Sequence, residues 1–527
     1  MPRRTIARVG AALAMLASIG GTGMARGASH ALAVDTHVTV DAASRIGIVP
    51  ATAVGLNASV YDGNLLHAVV PGLLRAAGAG IIRWPGGSEA DAYHWQDNSI
   101  TPSPPSTGGY ANPNNTFDAF MTFAARSGVQ AMITVNYGSN HGGTAGGDPQ
   151  EAANWVRYAD DGGPGYAGPA PTYPGASRTG HRYGITYWEI GNEVYGNGTY
   201  NGVHWETDLH PDALSGGAIA YGMHALQFMQ AMKAADPRIK VGVVLTAPGN
   251  WPDEDAMGTA GSPRAWNDNV IAETCTLMDF ADVHWYPQDP GTESDAALLQ
   301  IPEHGNRSDS IRAMVSRLHQ ELSRYCPSRA GRIPIMVTEM NSVSSNPGKQ
   351  VLSVVNALFE DDAYMTWLEN GVANVSWWQL HNDPVTAGNN SRSLFGTATF
   401  GDYGVLADGK APEPPADTPF PAYYGLAMLA HLAHPGDLMV RATSDNAVVG
   451  VHAVMQSSGR LAVMLINEDP GAPHTVGLQL SSASPARPAT VYTYGAARNA
   501  ITSASRSLSP GTIAVTLAPY SVTVIVA

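Results

Sequence analysis

Along most of the chain, short runs of apolar and β-branched residues alternate with longer stretches in which apolar residues recur at helical spacing. The strand-like runs are Thr52 to Asn57, Gly80 to Trp84, Gln130 to Asn136, Tyr183 to Ile190, Ile239 to Thr246, Phe280 to Trp285, Ile333 to Glu339 and Val372 to Gln379. Between them the spacing predicts helices over Asn64 to Gly78, Pro149 to Tyr158, Gly217 to Ala235, Ser308 to Arg324 and Leu352 to Asn370, and a last one near Pro421 to Ala433. Eight strands alternating with helical segments predict an α/β fold, a (β/α)8 TIM barrel over residues 51–433. The loop Pro85 to Asn115, rich in Gly, Pro, Ser and Asn, is expected to lie over the mouth of that barrel. From Pro435 onward helical periodicity is absent. Short alternating runs at Ala447 to His452, Arg460 to Asn467, Val476 to Leu480, Ala489 to Tyr494, Ile513 to Leu517 and Val522 to Ala527 predict an antiparallel β-sandwich over 434–527. The segment 34–50, with Val38 and Val40 alternating against polar neighbours, is expected to join it.

Polar residues gather at the C-terminal tips of two strand-like runs. Tyr187-Trp188-Glu189-Ile190-Gly191-Asn192-Glu193 runs from an apolar strand into a glycine and an Asn-Glu pair, and Ile335-Met336-Val337-Thr338-Glu339-Met340-Asn341 likewise ends on a carboxylate. In a TIM barrel all strand tips share one face, where the loops build the site. A lone loop glutamate is most often a surface or capping residue. Two on facing strand ends form the pair that glycosidic bond cleavage requires, one to protonate the leaving oxygen and one to attack the sugar carbon. Asn192 offers an amide to a sugar hydroxyl or, in its structural role, caps the next helix. Arg83 at the tip of strand two supplies either a positive field or a structural salt bridge across the barrel end.

The run WEIGNE at Trp188 to Glu193 resembles the acid/base motif of clan A glycoside hydrolases, which makes Glu193 the acid/base and Glu339 the nucleophile. Arg83-Trp84-Pro85-Gly86-Gly87, Tyr93-His94-Trp95, Ala153 to Tyr158, His284-Trp285-Tyr286 and Gln379 to Asn382 are similar to stretches of glycoside hydrolase family 51, the α-L-arabinofuranosidases. That resemblance implies Arg83 and Tyr286 as supports of the nucleophile, and Asn192, His284, Gln379 and Trp378 as substrate-binding residues. Of Trp377 and Trp378, alternation puts only one inward. His94 and Trp95 are candidates for the pocket wall, and His284 also fits as a packed strand-end histidine. The first strand departs from the family, which carries a glutamate there, because it reads Gly55-Leu56-Asn57-Ala58-Ser59; the family's Asn after Pro-Gly-Gly is Ser88. The sugar therefore stays open among arabinofuranose and the galactofuranose, xylose and glucuronic acid substrates of related clan members. A barrel that has kept sugar binding and lost catalysis is the alternative from another class.

Composition narrows the partners. Lys+Arg total 29 against Asp+Glu 44, a formal net charge of −15, which disfavours nucleic acid and acidic membranes and fits a neutral carbohydrate. Residues 1–33 carry Arg3, Arg4 and Arg8, an apolar run Val9 to Ile19 and a small-residue end at Ala31-Leu32-Ala33, the pattern of a secretory signal peptide. With no membrane anchor after its removal, the expectation is a secreted protein, and export makes Cys275 and Cys326 candidates for a disulfide. No HExxH and no glycine-rich phosphate loop is present, so no metal and no cofactor is expected.

Overall fold

The computed structural model describes residues 33–160, 166, 168–176, 182–199, 202–249, 265–304, 310–481, 488–507 and 513–527. The leader read over Met1 to Ala33 lies, but for Ala33 itself, outside the described residues. Eight parallel strands, Val54–Asn57, Ile81–Trp84, Gln130–Val135, Tyr187–Ile190, Lys240–Thr246, Phe280–Trp285, Ile335–Met340 and Asn374–Trp377, close into a barrel in sequential order. The eighth pairs with the first through Val375–Val54 and Trp377–Leu56. The strands are shorter than the apolar runs suggest: the first begins at Val54 because a turn, Ala53 N–H to the Pro50 carbonyl at 3.2 Å, occupies the residues before it. Its helix is likewise only Val70–Ala76, set by Pro71 in its first turn. Two helices lie outside those expected, Phe117–Ser127 and Trp266–Thr274, although the first carries Phe117, Phe120, Met121 and Ala124 at helical spacing. The first is held by Thr116 Oγ1 accepting from Ala119 N–H and by Gly128 in the left-handed conformation.

Inside the barrel, alternation stacks the inward side chains in layers. The lowest is apolar: Ile81, Met132, Tyr187, Phe280 and Met336 pack together, and Gly242 leaves the room that the Phe280 ring occupies. Two residues further along the same strands, the layer is polar and completely buried, made of Arg83, Thr134, Glu189, Asp282 and Thr338.

Beyond the barrel, nine strands form one further sheet. The N-terminal strand Thr36–Ile48 sits within it as expected, antiparallel to Leu438–Ser444 and parallel to His474–Ser481, the one parallel pairing of an otherwise antiparallel sheet among the described residues. Val38 and Val40 face a core shared with Val451, Val463, Leu465, Leu478, Val515 and Ile525, which gives the curled sheet its sandwich interior. Leu438–Ser444 and the exposed edge strand Thr502–Arg506 had no alternation strong enough to read. Cys275 and Cys326, each just past the end of a helix, are joined as a disulfide.

Barrel helix Val354–Glu369 packs between barrel and sheet and is buried along almost its whole length. It carries three consecutive acids, Glu360, Asp361 and Asp362, none more than 1% exposed. His452 from the sheet answers Asp362 Oδ1 at 3.1 Å and Glu369 Oε1 at 3.0 Å. Neither oxygen of Glu360 or Asp361 has a hydrogen-bond partner among the described residues. Burial pushes both far above their ordinary values, and each raises or is raised by its acidic neighbour, so both fold as neutral acids. An unfolded chain ionises them above their ordinary values of 4.5 and 3.8, so it binds fewer protons than the fold there, and this contribution to stability is lost as pH rises. Urea midpoints are expected to fall between pH 5 and pH 8, and the double variant Glu360→Gln/Asp361→Asn should fall less steeply. An unchanged slope would show that these acids are not neutral in the fold.

Candidate active site

The polar layer of the barrel interior is organised by Arg83. Its Nε donates to Glu189 Oε2 at 2.6 Å, Nη1 to Asn57 Oδ1 and Glu339 Oε2, both at 3.1 Å, and Nη2 to Asn192 Oδ1 at 2.8 Å. Arg83 thus pairs both across the barrel end, with Glu189, and with Glu339 above it. Burial opposes charge on Glu189, but the guanidinium outweighs it and holds the carboxylate below its usual range, with Thr134 Oγ1 donating at 2.6 Å. Asp282 beside it is pushed well up by burial and by the Glu189 charge. Its Oδ1 accepts from the Thr338 hydroxyl.

Above this layer stand the two glutamates. Glu339 faces the mouth because the seventh strand bulges: Val337 pairs with Val283 but Glu339 with His284, so two residues span one partner step and the alternation shifts. Glu193 follows Gly191, whose φ of 77° bends the strand out of the barrel, and itself takes a left-handed φ of 39°. A Cβ at position 191 would stand 2.6 Å from Val194 and 3.0 Å from Asp91 Oδ1, so the turn needs glycine. One oxygen of each glutamate and a ring nitrogen of His284 all lie within 4.8 Å of one another. Glu339 accepts from Tyr286 Oη at 2.6 Å and from Arg83. Glu193 accepts from Trp205 Nε1 at 2.8 Å and from His284 Nδ1 at 2.9 Å.

The charges differ from the simple expectation of a protonated Glu193 beside an ionised Glu339. His284 is buried, yet the Glu339 charge, the hydrogen bond to Glu193 and Asp282 together hold it up at about 9, so it is a cation at neutral pH. Burial raises Glu193, but that imidazolium, with Trp205 and Tyr195, brings it below its ordinary value. Glu339 is raised by burial, against the opposing charges of His284 and Arg83. The raised imidazole and the lowered Glu193 carboxyl favour the shared proton on the His284 Nδ1 side of their hydrogen bond. His284 is not a packed strand-end histidine.

A pocket of about 520 Å³ opens over these groups, lined among others by Asn192, His284, Tyr286, Trp205 and Trp378. Trp378 is thus the tryptophan at the site, while Trp377 is in the core with no exposure. Asn192 is no helix cap: its backbone N–H donates to Asp91 Oδ2 at 3.0 Å, and its amide is clamped between Arg83 and Glu206 Oε1, the latter at 2.9 Å. Gln379 requires a correction. It is fully buried, accepting from Ser59 Oγ and donating to Tyr61 Oη at 2.9 Å and Asn382 Oδ1 at 2.8 Å, and Tyr61 stands between it and the pocket. His94 and Trp95 are also behind the wall, His94 paired with Glu151 at 3.0 Å and Trp95 stacked on Trp155. Glu189 and Asp282 were missed although Asp282 sits two residues before His284 on an alternating strand and Glu189 lies on the same strand that leads into Asn192 and Glu193. Trp205 and Glu206 come from an irregular loop whose sequence carries no periodic signal.

Residues 73–299 match the family model described as the alpha-L-arabinofuranosidase 1 domain. The chain is 27% identical over 216 residues to a probable alpha-L-arabinofuranosidase C of Aspergillus clavatus, covering 39% of this chain and 37% of that one. It is 28% identical over 240 residues to an intracellular exo-alpha-(1->5)-L-arabinofuranosidase of Streptomyces lividans, covering 42% of this chain and 30% of the relative. The chain thus spans 37% and 30% of the length of these two curated relatives. In fold it is similar to the GH51 alpha-L-arabinofuranosidase of Thermotoga petrophila RKU-1, with a TM-score of 0.68, 18% identity, and 93% of this chain and all of that one covered. The resemblance carried by WEIGNE and its companion motifs is thus to the family 51 arabinofuranosidases. Among the described residues, no helix is long and apolar enough to cross a membrane.

The state of His284 is directly measurable. Imidazole titration by NMR is expected to give a midpoint near 9, and Glu339→Gln should lower it, because the Glu339 charge is the largest influence that raises it. The stabilisation from this pairing is present below the ordinary value of 6.5 and lost as pH rises through about 9. A midpoint at or below 6.5 contradicts the assignment of the proton.

Proposed function

We propose that this chain is a retaining glycoside hydrolase of the α-L-arabinofuranosidase type, in which Glu339 attacks the anomeric carbon and Glu193 passes the proton to the leaving oxygen. The observation that carries this reading is the approach of the two carboxylates to within 4.8 Å in unlike surroundings, one facing Arg83 and Tyr286, the other facing a protonated imidazole. Retaining enzymes hold their carboxyls about 5–5.5 Å apart, and inverting ones leave space for a water.

Proton and attack are coupled through His284. As Glu339 bonds to the anomeric carbon its negative charge disappears, and with it the main influence that keeps the proton on the imidazole. That proton moves to Glu193 and on to the leaving oxygen, so the alcohol departs neutral and Glu193 is left as a carboxylate. In the second step Glu193 takes a proton from water, the hydroxide oxygen bonds to the sugar carbon, and the Glu339 ester bond breaks. The returning charge on Glu339 draws the proton back to His284. Asn192, with its carbonyl held by Arg83, presents its remaining N–H toward the pocket for a sugar hydroxyl.

Arabinofuranose is supported by the matched family and the curated relatives. The family's strand-one glutamate is absent, and Asn57 instead accepts from Arg83 and donates to the Thr338 carbonyl at 3.0 Å. Besides Glu193 and Glu339, the acids that line the pocket here are Glu89, Glu206 and Asp289. We also propose that the chain is exported, on the support of the charged and apolar pattern of residues 1–33 and the Cys275–Cys326 disulfide.

Proton NMR of the first product from an aryl α-L-arabinofuranoside is expected to show the substrate's anomer. Glu339→Ala should lower turnover more than about a thousandfold, roughly 4 kcal/mol of transition-state stabilisation. Glu193→Ala should keep its first step on a dinitrophenyl glycoside, accumulate the covalent species, and recover with azide to give the glycosyl azide of unchanged configuration. Azide rescue of Glu339→Ala alone would exchange the two roles, and an inverted first product would sink the double-displacement reading.

A further inference from the structure

A second cavity of about 520 Å³ adjoins the catalytic pocket, and the two share one wall: Tyr61, Glu89, Ser106 and Thr107 line both. Its position in the barrel follows from strand order. Tyr61 and Asp62 follow the first strand, Glu89 and the 106–110 segment follow the second, and His381, Asn382 and Asp383 follow the eighth. Glu193 follows the fourth strand, and in an eight-stranded barrel the fourth lies across the mouth from the eighth. The leaving group must lie toward Glu193, which protonates its oxygen. The second cavity therefore lies on the opposite side, beyond the sugar that Glu339 attacks.

The cavity is a built one. Its floor is locked by His381, buried between Asp62 Oδ2 at 2.8 Å and Asp417 Oδ1 at 3.1 Å, and by Asn64, whose amide donates to the Asp408 carbonyl at 2.7 Å. At its rim stands Tyr110, 55% exposed, an aromatic face of the kind that takes the apolar side of a sugar ring. Lys410 is already engaged by Asp383 and Asp408, at 3.0 Å to the latter, so the rim holds no uncommitted cation among the described residues for an anionic sugar. The carboxylates that line the cavity, Asp62, Glu89, Asp383 and Asp408, suit ligands that donate, as sugar hydroxyls do.

We propose that this cavity is a second sugar subsite, which takes a neutral sugar unit attached to the non-reducing side of the sugar held over Glu339. It rests on the catalytic reading above and adds to it that the enzyme cleaves within a chain, or behind a substituted sugar, and is not confined to terminal residues. Glu89, 3% exposed on the wall common to both cavities, is placed to meet the hydroxyls where the two sugars join.

The test compares a 4-nitrophenyl α-L-arabinofuranoside with the 4-nitrophenyl glycoside of α-1,5-linked arabinobiose. On the disaccharide substrate, nitrophenol and intact arabinobiose should appear together without a lag, with kcat/KM at least about tenfold above that of the monosaccharide substrate. Tyr110→Ala should erase most of that advantage and change the monosaccharide value less than about twofold. Free arabinose appearing first, with nitrophenol after a lag, would overturn the proposal, as would a Tyr110→Ala effect equal on both substrates. Should neither glycoside be cleaved, the arabinofuranosidase reading fails separately. The subsite is then decided by titrating the full chain and its Tyr110→Ala variant with neutral oligosaccharides of arabinan, galactan, xylan and β-glucan: binding weakened at least about fivefold by the substitution supports it, and no binding by any of the four overturns it.

Discussion

A guanidinium with no exposure, inside a barrel where bulky apolar residues usually stack, is the constraint on which the rest of this structure depends. Removing the Arg83 charge from water is costly, and it is offset only because Glu189, Glu339, Asn57 and Asn192 take up its donors in good geometry. Those four partners come from the first, fourth and seventh strands and the turn after the fourth, so one side chain fixes the relative height of strands that are far apart in sequence. Removing it would leave at least one buried carboxylate unpaired, a change that costs about 3–5 kcal/mol in buried pairs of this kind.

Two electrostatic regimes are stacked on this frame. Below, Arg83 and Glu189 form a closed pair, and burial together with the Glu189 charge pushes Asp282 up beside them. Above, Glu339, His284 and Glu193 share their charges across distances short enough that changing one changes all. The strand-seven bulge and the glycine turn after strand four are what bring the upper three together, since regular alternation would aim Glu339 away from the mouth. Trp205 and Glu206, adjacent on one loop, then fix the upper layer from outside, Trp205 on Glu193 and Glu206 on Asn192.

How much of this could be read from the sequence follows from which signals are local. Barrel strands announce themselves because strands buried on both faces read as continuous apolar runs, and Glu193, Glu339 and Tyr286 stand at their tips where the topology collects side chains. Strand ends and the parallel placement of Thr36–Ile48 depend on contacts from distant residues and left no periodic trace. Gln379 shows the limit of motif transfer: its position after the eighth strand is as expected, but Tyr61, from the loop after the first, fills the space in front of it. The reversed protonation of Glu193 and His284 was likewise out of reach, because it arises from Glu339 and Asp282 facing the same imidazole.

The central claim, that Glu339 is the group that bonds to the sugar, is tested most directly by trapping. A 2-deoxy-2-fluoro aryl arabinofuranoside with a good leaving group destabilises the oxocarbenium-like transition states, so the covalent species accumulates, and peptide mass mapping locates it. The account predicts one adduct per chain, on the peptide that contains Glu339. An adduct on Glu193, Glu206, Glu89 or Asp289, the other carboxylates of the same pocket, would contradict it.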